Sequence, residues 1–252
     1  MENEPAGELA VGRSRVGRLT YSFDRAVRAQ FARSRLLYPY LARTRGGSLA
    51  TPESDIVIDG FPRSANTFSV HAFRLVNPEA AIAHHTHAPA QVLRAARLGL
   101  PTIVLLRRPR DAVLSEVIRE PRRTITRTLR DWLSFYDTVC PVVDAFVLGE
   151  FDAVISDYGP VIESVNERFA TAFRPFRNNP EDDRVTFESI ERVTRARGKS
   201  AMQAELQVPR PSEVRRSQKA ELEAELDRPG ARRLLARADE RYEWLMRATA
   251  AT

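Results

Sequence analysis

The sequence predicts an α/β fold in which helices flank a central, mostly parallel sheet. Apolar runs rich in branched residues occur at 55–59 and 101–106, and each leads into a segment with helical spacing. These runs are nearly continuous rather than alternating, which is typical of strands buried on both faces. Strands that alternate with helices favour parallel pairing through helical crossovers.

The individual elements follow from periodicity and from the positions of proline and glycine. Strands are predicted at 55–59, 80–84, 101–106 and 152–156. Helices are predicted at 20–38, 66–75, 89–98, from Pro109 onward, and at 124–146, 160–173, 218–226 and 231–246. Non-regular segments are predicted as an unstructured arm at 1–18, a linker at 43–48, a polar loop at 177–183 and a mobile loop at 197–216.

Composition sets the broad class of protein. With 252 residues, 43% hydrophobic and 29% charged, the chain is not of the disordered or collagen-like class. The single cysteine, Cys140, excludes a disulfide framework and a cysteine-based metal site. No apolar run reaches the roughly 20 residues of a membrane span, and no secretory signal is recognised at the N-terminus. A soluble, cytoplasmic protein is therefore expected, with a basic arm and helix at 1–50 and the main domain at 51–252.

The positive charge is concentrated near the N-terminus. The net charge is +6, and residues 1–50 hold nine arginines against four acidic residues, which accounts for +5 of it. The main domain is thus nearly neutral, so no nucleic-acid partner is expected. A weak contact between the basic segment 11–45 and a membrane surface stays open, as does the alternative of a non-catalytic protein that binds anionic surfaces.

The segment IVIDGFPRSANTF, residues 56–68, carries the first functional motif. A strand runs into Gly60, a short loop follows, and a helix begins near Asn66, which is the arrangement of a phosphate-binding loop. Kinases and ATPases use G-x-x-x-x-G-K-[ST], but here Asn66 stands at the lysine position. That difference disfavours γ-phosphoryl transfer, although a nucleotide-dependent small-molecule kinase remains the alternative enzyme. The cation of this loop is Arg63 instead.

The segment VLLRRPRDAVLS, residues 104–115, carries the second motif. Arg107 follows a strand, Pro109 begins a helix, and Ser115 lies on the first turns of that helix. Because ligands bind at the carboxyl ends of parallel strands, Arg107 is expected at the same crevice as the loop after Gly60.

Together the two segments resemble the family of sulfotransferases that use PAPS (3′-phosphoadenosine-5′-phosphosulfate). The spacing of Arg107 and Ser115 is similar to the family's 3′-phosphate motif. The family's 5′-phosphosulfate loop is matched by Pro62, Arg63, Ser64, Ala65, Asn66, Thr67 and Phe68. Phe68 stands where the family stacks an aromatic ring on adenine, although a core role fits it equally.

This resemblance implies a P-loop-like sulfotransferase domain at 51–252. The implied reaction transfers a sulfuryl group from PAPS to a hydroxyl, or an amine, of a small-molecule or carbohydrate acceptor. Arg63 would stabilise charge on the departing 5′-phosphate, and no metal is expected. The oligomeric state is left open.

The segment HHTHAP, residues 84–89, holds three of the four histidines. The resemblance implies that His87 is the catalytic base that takes the acceptor's proton, with His85 where the family has lysine. Which of these two imidazoles acts as the base is left open. A zinc site formed by His84, His85 and His87 is the alternative, but it lacks a carboxylate or thiol partner at suitable spacing.

Overall fold

The computed structural model describes residues 48–196 and 222–250. Four strands form one sheet in the order β2-β1-β3-β4, and every strand pairs in parallel with its neighbours. The strands are β1 (Ile56–Gly60), β2 (Ile82–His84), β3 (Thr102–Leu106) and β4 (Val147–Glu150). The predicted α/β class with a parallel sheet is confirmed.

Helices cover both faces of this sheet. They are α1 (Asn66–Val76), α2 (Pro89–Leu98), α3 (Pro109–Arg119), α4 (Ile125–Val139), α5 (Phe151–Ser156), α6 (Gly159–Phe169), α7 (Pro180–Ala196) and α8 (Pro229–Ala250). Proline at the first position begins α2 and α3 as predicted, since that position needs no amide hydrogen. A 3₁₀ helix, Cys140–Ala145, follows α4, and residues 222–226 are helical.

Alternate residues of β3 point to two apolar layers. Val104 and Leu106 pack with residues of α3, α4 and α8. Ile103 and Leu105 pack on the opposite face with residues of α1, α5 and α6. All four side chains are fully buried, which explains the absence of an alternating polar pattern in the strand.

The predicted strand at 152–156 is wrong, because this segment forms helix α5. Glu150 accepts hydrogen bonds at Oε2 from the amides of Asp152 (2.7 Å) and Ala153 (3.2 Å) and so caps the helix. The edge strand is Val147–Glu150 instead. Ile155, which made the segment look like a strand, is 44% exposed.

Two helix boundaries and one loop also differ from the prediction. Helix α4 ends at Val139 and gives way to the 3₁₀ helix, because Pro141 lacks an amide hydrogen and clashes with the preceding turn. Helix α6 ends at Phe169 rather than 173, where Ala170 adopts a left-handed conformation. The polar segment 177–183 is only partly a loop, since α7 begins within it. There Asn179 Oδ1 accepts from the amides of Glu181 and Asp182, at 3.1 and 3.0 Å.

Several predicted segments lie outside the described residues: the arm at 1–18, the helix at 20–38, most of the linker at 43–48, and the loop at 197–216. Of the helix predicted at 218–226, the described part, 222–226, is helical. Among the helices of 48–196 and 222–250, none combines the length and the apolar character needed to cross a membrane.

Candidate functional site

The strand order defines a crevice at the carboxyl edge of the sheet. Strand β1 leads to β2 on one side and β3 leads to β4 on the other, so the two connections leave in opposite directions from the ends of β1 and β3. Such a reversal opens a ligand-binding crevice in parallel α/β sheets. The loop 61–65 follows β1, Arg107 follows β3, and the histidine segment follows β2, so all three predicted motifs meet at this edge.

The loop between β1 and α1 has the backbone of an anion site. Arg63 and Ala65 have positive φ, 70° and 65°, a conformation that non-glycine residues seldom adopt. Left-handed residues before a helix turn main-chain amides toward one point, and the helix dipole adds to their positive potential. Asn66 Nδ2 donates to the carbonyl of Phe61 at 2.9 Å and closes the loop. Pro62, Ser64 and Asn66 are buried, whereas Thr67 is exposed.

Gly60 is required by a close approach of β1 to β3. A Cβ at this position would overlap the carbonyl oxygen of Leu105 and lie 2.9 Å from its Cβ. The same carbonyl accepts a hydrogen bond of 2.7 Å from the hydroxyl of Tyr136 on α4. Burial raises the pKa of Tyr136 well above its ordinary value, so this hydroxyl remains a donor. Tyr136 on α4 therefore holds the part of β3 against which Gly60, at the start of the loop, is packed.

The structure brings Arg63, Arg107 and Ser115 into direct contact. Arg63 Nε donates to Ser115 Oγ at 2.9 Å, and Arg107 Nη1 donates to the Arg63 carbonyl at 3.1 Å. Arg107 also lies against the ring of Phe151, with Cζ 3.9 Å from the ring centroid. Two cations, a hydroxyl and the loop amides thus form one group, which is suited to a ligand with more than one anionic substituent.

Asp59 on β1 is a site residue that the sequence analysis missed. Its carboxylate is fully buried and accepts four hydrogen bonds. Oδ1 accepts from the amides of Gly60 (2.9 Å) and His87 (3.1 Å), and Oδ2 from the amide (2.9 Å) and hydroxyl (2.6 Å) of Thr86. Because hydrogen bonds to a charged acceptor are the stronger ones, Asp59 fixes the histidine segment beside Gly60, where the loop 61–65 begins. A carboxylate inside an apolar strand was the available signal.

The imidazole of His87 has a defined tautomer. Its Nδ1 lies 2.9 Å from the carbonyl of Gly60, which can only accept, so Nδ1 carries the hydrogen in this bond. Nε2 of the neutral ring is then the basic nitrogen. The side chain is 20% exposed, and Asp59 Oδ1 lies 3.6 Å from Nδ1, where it stabilises the ring once protonated. This arrangement can accept a proton from a substrate.

The ring of His85 lies edge-on to the ring of His87, with centroids 5.8 Å apart, and also contacts α1. Its Nε2 lies 3.2 Å from Thr67 Oγ1, and its Nδ1 lies 2.7 Å from Nδ1 of His84. A hydrogen bond between two ring nitrogens needs one donor and one acceptor, so the neutral pair carries a single hydrogen there. His85 is thus connected to the first turn of α1.

The structure also shows the surroundings of Phe68, of the histidines considered as a zinc site, and of His71. Phe68 is only 8% exposed and packs against Phe176 and Phe187, with centroids 6.0 and 5.9 Å away, so it occupies the core position that the sequence also allowed. Within residues 48–196 and 222–250, no three His, Cys, Asp or Glu side chains are grouped to hold a metal ion. The fourth histidine, His71, lies on α1 with Nδ1 2.9 Å from Ser189 Oγ.

The class that fold and site define is an α/β protein with a crevice at the carboxyl edge of the sheet, where Arg63 and Arg107 lie beside a histidine segment. No family model, curated protein or solved structure matches the chain.

Proposed function

We propose that this protein transfers a sulfuryl group from PAPS to a hydroxyl, or an amine, of a small-molecule or carbohydrate acceptor. The observation that carries the proposal is the contact of Arg63 Nε with Ser115 Oγ at 2.9 Å, with Arg107 bonded to the same loop. It joins the two segments that resemble the 5′-phosphosulfate and 3′-phosphate motifs of sulfotransferases. PAPS carries both of these anionic groups.

The donor has a binding group for each end. The amides of 63–67 and the N-terminus of α1 suit the 5′-phosphosulfate, assisted by Arg63. Arg107 and Ser115 suit the 3′-phosphate, because a guanidinium and a hydroxyl both donate to phosphate oxygens. Asn66 takes the position of the lysine that binds γ-phosphate in kinases, and its amide closes the loop instead.

The reaction needs one proton acceptor and stabilisation of one leaving group. The acceptor's oxygen forms a bond to sulfur while the bond from sulfur to the 5′-phosphate oxygen breaks, and that oxygen keeps the electron pair. His87 Nε2 takes the hydroxyl proton, which its tautomer allows. Arg63 and the loop amides stabilise the charge that develops on the departing adenosine 3′,5′-bisphosphate.

The distinguishing experiment compares ligands by thermal unfolding of the full chain. PAPS and adenosine 3′,5′-bisphosphate are expected to raise the Tm, since a ligand at a hundredfold excess over Kd stabilises the native state by about 2.7 kcal/mol. ATP with Mg²⁺ is expected to have a far smaller effect. If ATP with Mg²⁺ raises the Tm as much as PAPS does, the kinase alternative is favoured. If Arg107→Ala leaves the Tm shift caused by PAPS unchanged, the assignment of Arg107 to the 3′-phosphate is contradicted.

Activity is measured next, with and without chelator. Sulfated products formed from PAPS are expected to accumulate equally in EDTA, because the cations of the site are side chains. Loss of turnover that zinc restores would support the histidine metal site instead. A cytoplasmic location is part of this proposal.

A further inference from the structure

The ring of Phe151 packs against the guanidinium of Arg107. The Arg107 Cζ atom lies 3.9 Å from the centroid of the Phe151 ring, well within the range of a cation–π interaction. Phe151 belongs to neither phosphate motif and follows β4, forty-four positions after Arg107. It is half-buried at the same edge of the sheet.

Glu150, the residue before Phe151, restrains the backbone on which the ring stands. Glu150 uses Oε2 to accept from the amides of Asp152 and Ala153, which fixes the first turn of α5 where Phe151 stands. Its Oε1 lies 3.1 Å from the hydroxyl of Tyr242 on α8. Because both oxygens of Glu150 are engaged, the backbone around Phe151 is restrained from two elements.

Two contacts define the orientation of the Arg107 guanidinium. Phe151 lies against one face, and Nη1 donates to the carbonyl of Arg63 at 3.1 Å. A planar group held at one face and at one edge has little rotational freedom. Its other in-plane hydrogens are therefore available in a fixed direction, as bidentate recognition of a phosphate requires.

The electrostatic surroundings make this orientation important. Burial lowers the pKa of Arg107, and the negative charges of Asp111, Asp152 and Glu150 act in the opposite direction. A phosphate that approaches Arg107 therefore also approaches carboxylates. Its affinity depends on good geometry with the guanidinium as well as on charge.

We propose that Phe151 is a positioning residue for Arg107, and that this pair makes the crevice selective for nucleotides that carry a 3′-phosphate. The inference rests on the proposed function, which assigns Arg107 to that phosphate. Phe151 acts through the guanidinium and needs no contact with the nucleotide.

The test compares two ligands that differ only in the 3′-phosphate: adenosine 3′,5′-bisphosphate and adenosine 5′-monophosphate. Their Kd values are measured by calorimetry on the full chain, for the wild type, Phe151→Leu and Phe151→Tyr. Phe151→Leu is expected to weaken the bisphosphate roughly 5- to 10-fold through loss of the cation–π contact, and to leave the monophosphate unchanged. Phe151→Tyr is expected to retain wild-type values, because it keeps the aromatic face.

A double-mutant cycle separates positioning from folding. In an Arg107→Met background, Phe151→Leu is expected to have no further effect on the bisphosphate. Equal weakening of both ligands by Phe151→Leu, or full additivity in the cycle, would overturn the inference. Phe151→Met provides a second apolar replacement if the leucine variant is unfolded. A wild type that binds both ligands equally contradicts the 3′-phosphate assignment itself, which is a separate outcome seen without any Phe151 variant.

Discussion

Arg63 on the loop 61–65 donates through Nε to Ser115 Oγ on helix α3, at 2.9 Å and across 52 positions of sequence. The same arginine accepts at its carbonyl from Arg107. The side chain of Arg63 therefore contacts Ser115, and its carbonyl contacts Arg107. These two residues are the members of the predicted 3′-phosphate motif. These two hydrogen bonds connect the loop 61–65 to helix α3 and to the residue that follows β3.

Arg63→Ala is expected to weaken donor binding and to lower kcat together. The guanidinium would contact the phosphosulfate in both the ground state and the transition state, and loss of one such donor costs roughly 10²-fold in kcat. Arg63→Lys should retain part of both, because a point charge still reaches one oxygen. Arg74→Ala, which removes an exposed arginine at the end of α1, is the matched control. A kcat loss with unchanged affinity for adenosine 3′,5′-bisphosphate would contradict this role.

His87→Asn is expected to lower kcat by roughly 10²–10⁴ while Kd for adenosine 3′,5′-bisphosphate stays constant. The imidazole would contact the acceptor and not the nucleotide. In the wild type, kcat/KM should fall on the acidic side of the pH profile, because a protonated Nε2 cannot accept a proton. This acidic limb should be absent from the residual activity of the variant. An unchanged pH profile in His87→Asn would exclude His87 as the base.

His85 is expected to affect donor binding rather than proton transfer, because its Nε2 lies 3.2 Å from Thr67 Oγ1 in the first turn of α1. His85→Gln keeps a polar atom near the Nε2 position, whereas His85→Asn keeps one near Nδ1 only. We expect His85→Gln to retain the affinity for adenosine 3′,5′-bisphosphate. We expect His85→Asn and Thr67→Val each to weaken that affinity several-fold. If His85→Gln abolishes turnover while His87→Asn is active, the base is His85.

Asp59→Asn is expected to reduce the free energy of unfolding by roughly 2–4 kcal/mol, because an amide cannot accept all four hydrogen bonds that the buried carboxylate accepts. The measurement is equilibrium unfolding in urea. Asp55→Asn is the matched control on the same segment, where Oδ2 accepts one exposed bond from the amide of Ala81 at 2.7 Å. Equal, small losses in both variants would show that Asp59 does not fix the histidine segment.

Ala65→Gly is expected to raise the free energy of unfolding by up to about 1 kcal/mol, because Ala65 has a φ of 65° and glycine adopts this conformation without a Cβ penalty. Ala236→Gly, at an exposed position inside α8, is the control and should lower stability by about 1 kcal/mol. Thermal unfolding of both variants provides the comparison. A loss of similar size in Ala65→Gly would contradict the left-handed assignment.

Three of the four strands and the motif positions could be predicted because their signals are local. The runs before Gly60 and Arg107 are apolar, and Pro89 and Pro109 mark helix starts within one residue. Helix α5 was not predicted, because a β-branched pair, Val154 and Ile155, resembles a strand. Its cap, the side chain of Glu150, decides the conformation instead.

Two site residues escaped prediction because their partners are distant in sequence. Asp59 bonds to Thr86, 27 positions away, and Phe151 contacts Arg107 only through the pairing of β3 with β4. Nothing near either residue in the sequence indicates its partner. For Asp59 a general argument was available, since a buried carboxylate needs several donors, but the donors themselves come from the fold.

The backbone at His85 and His87 limits which amino acids can replace them. Both have positive φ, 58° and 48°, a region that β-branched side chains avoid and that asparagine and glycine tolerate. In a saturation library at these two positions, failure to fold would therefore remove some amino acids before any selection for activity acts. Asparagine and glycine clones would remain in the folded pool at both positions, whereas valine and isoleucine clones would be depleted from it.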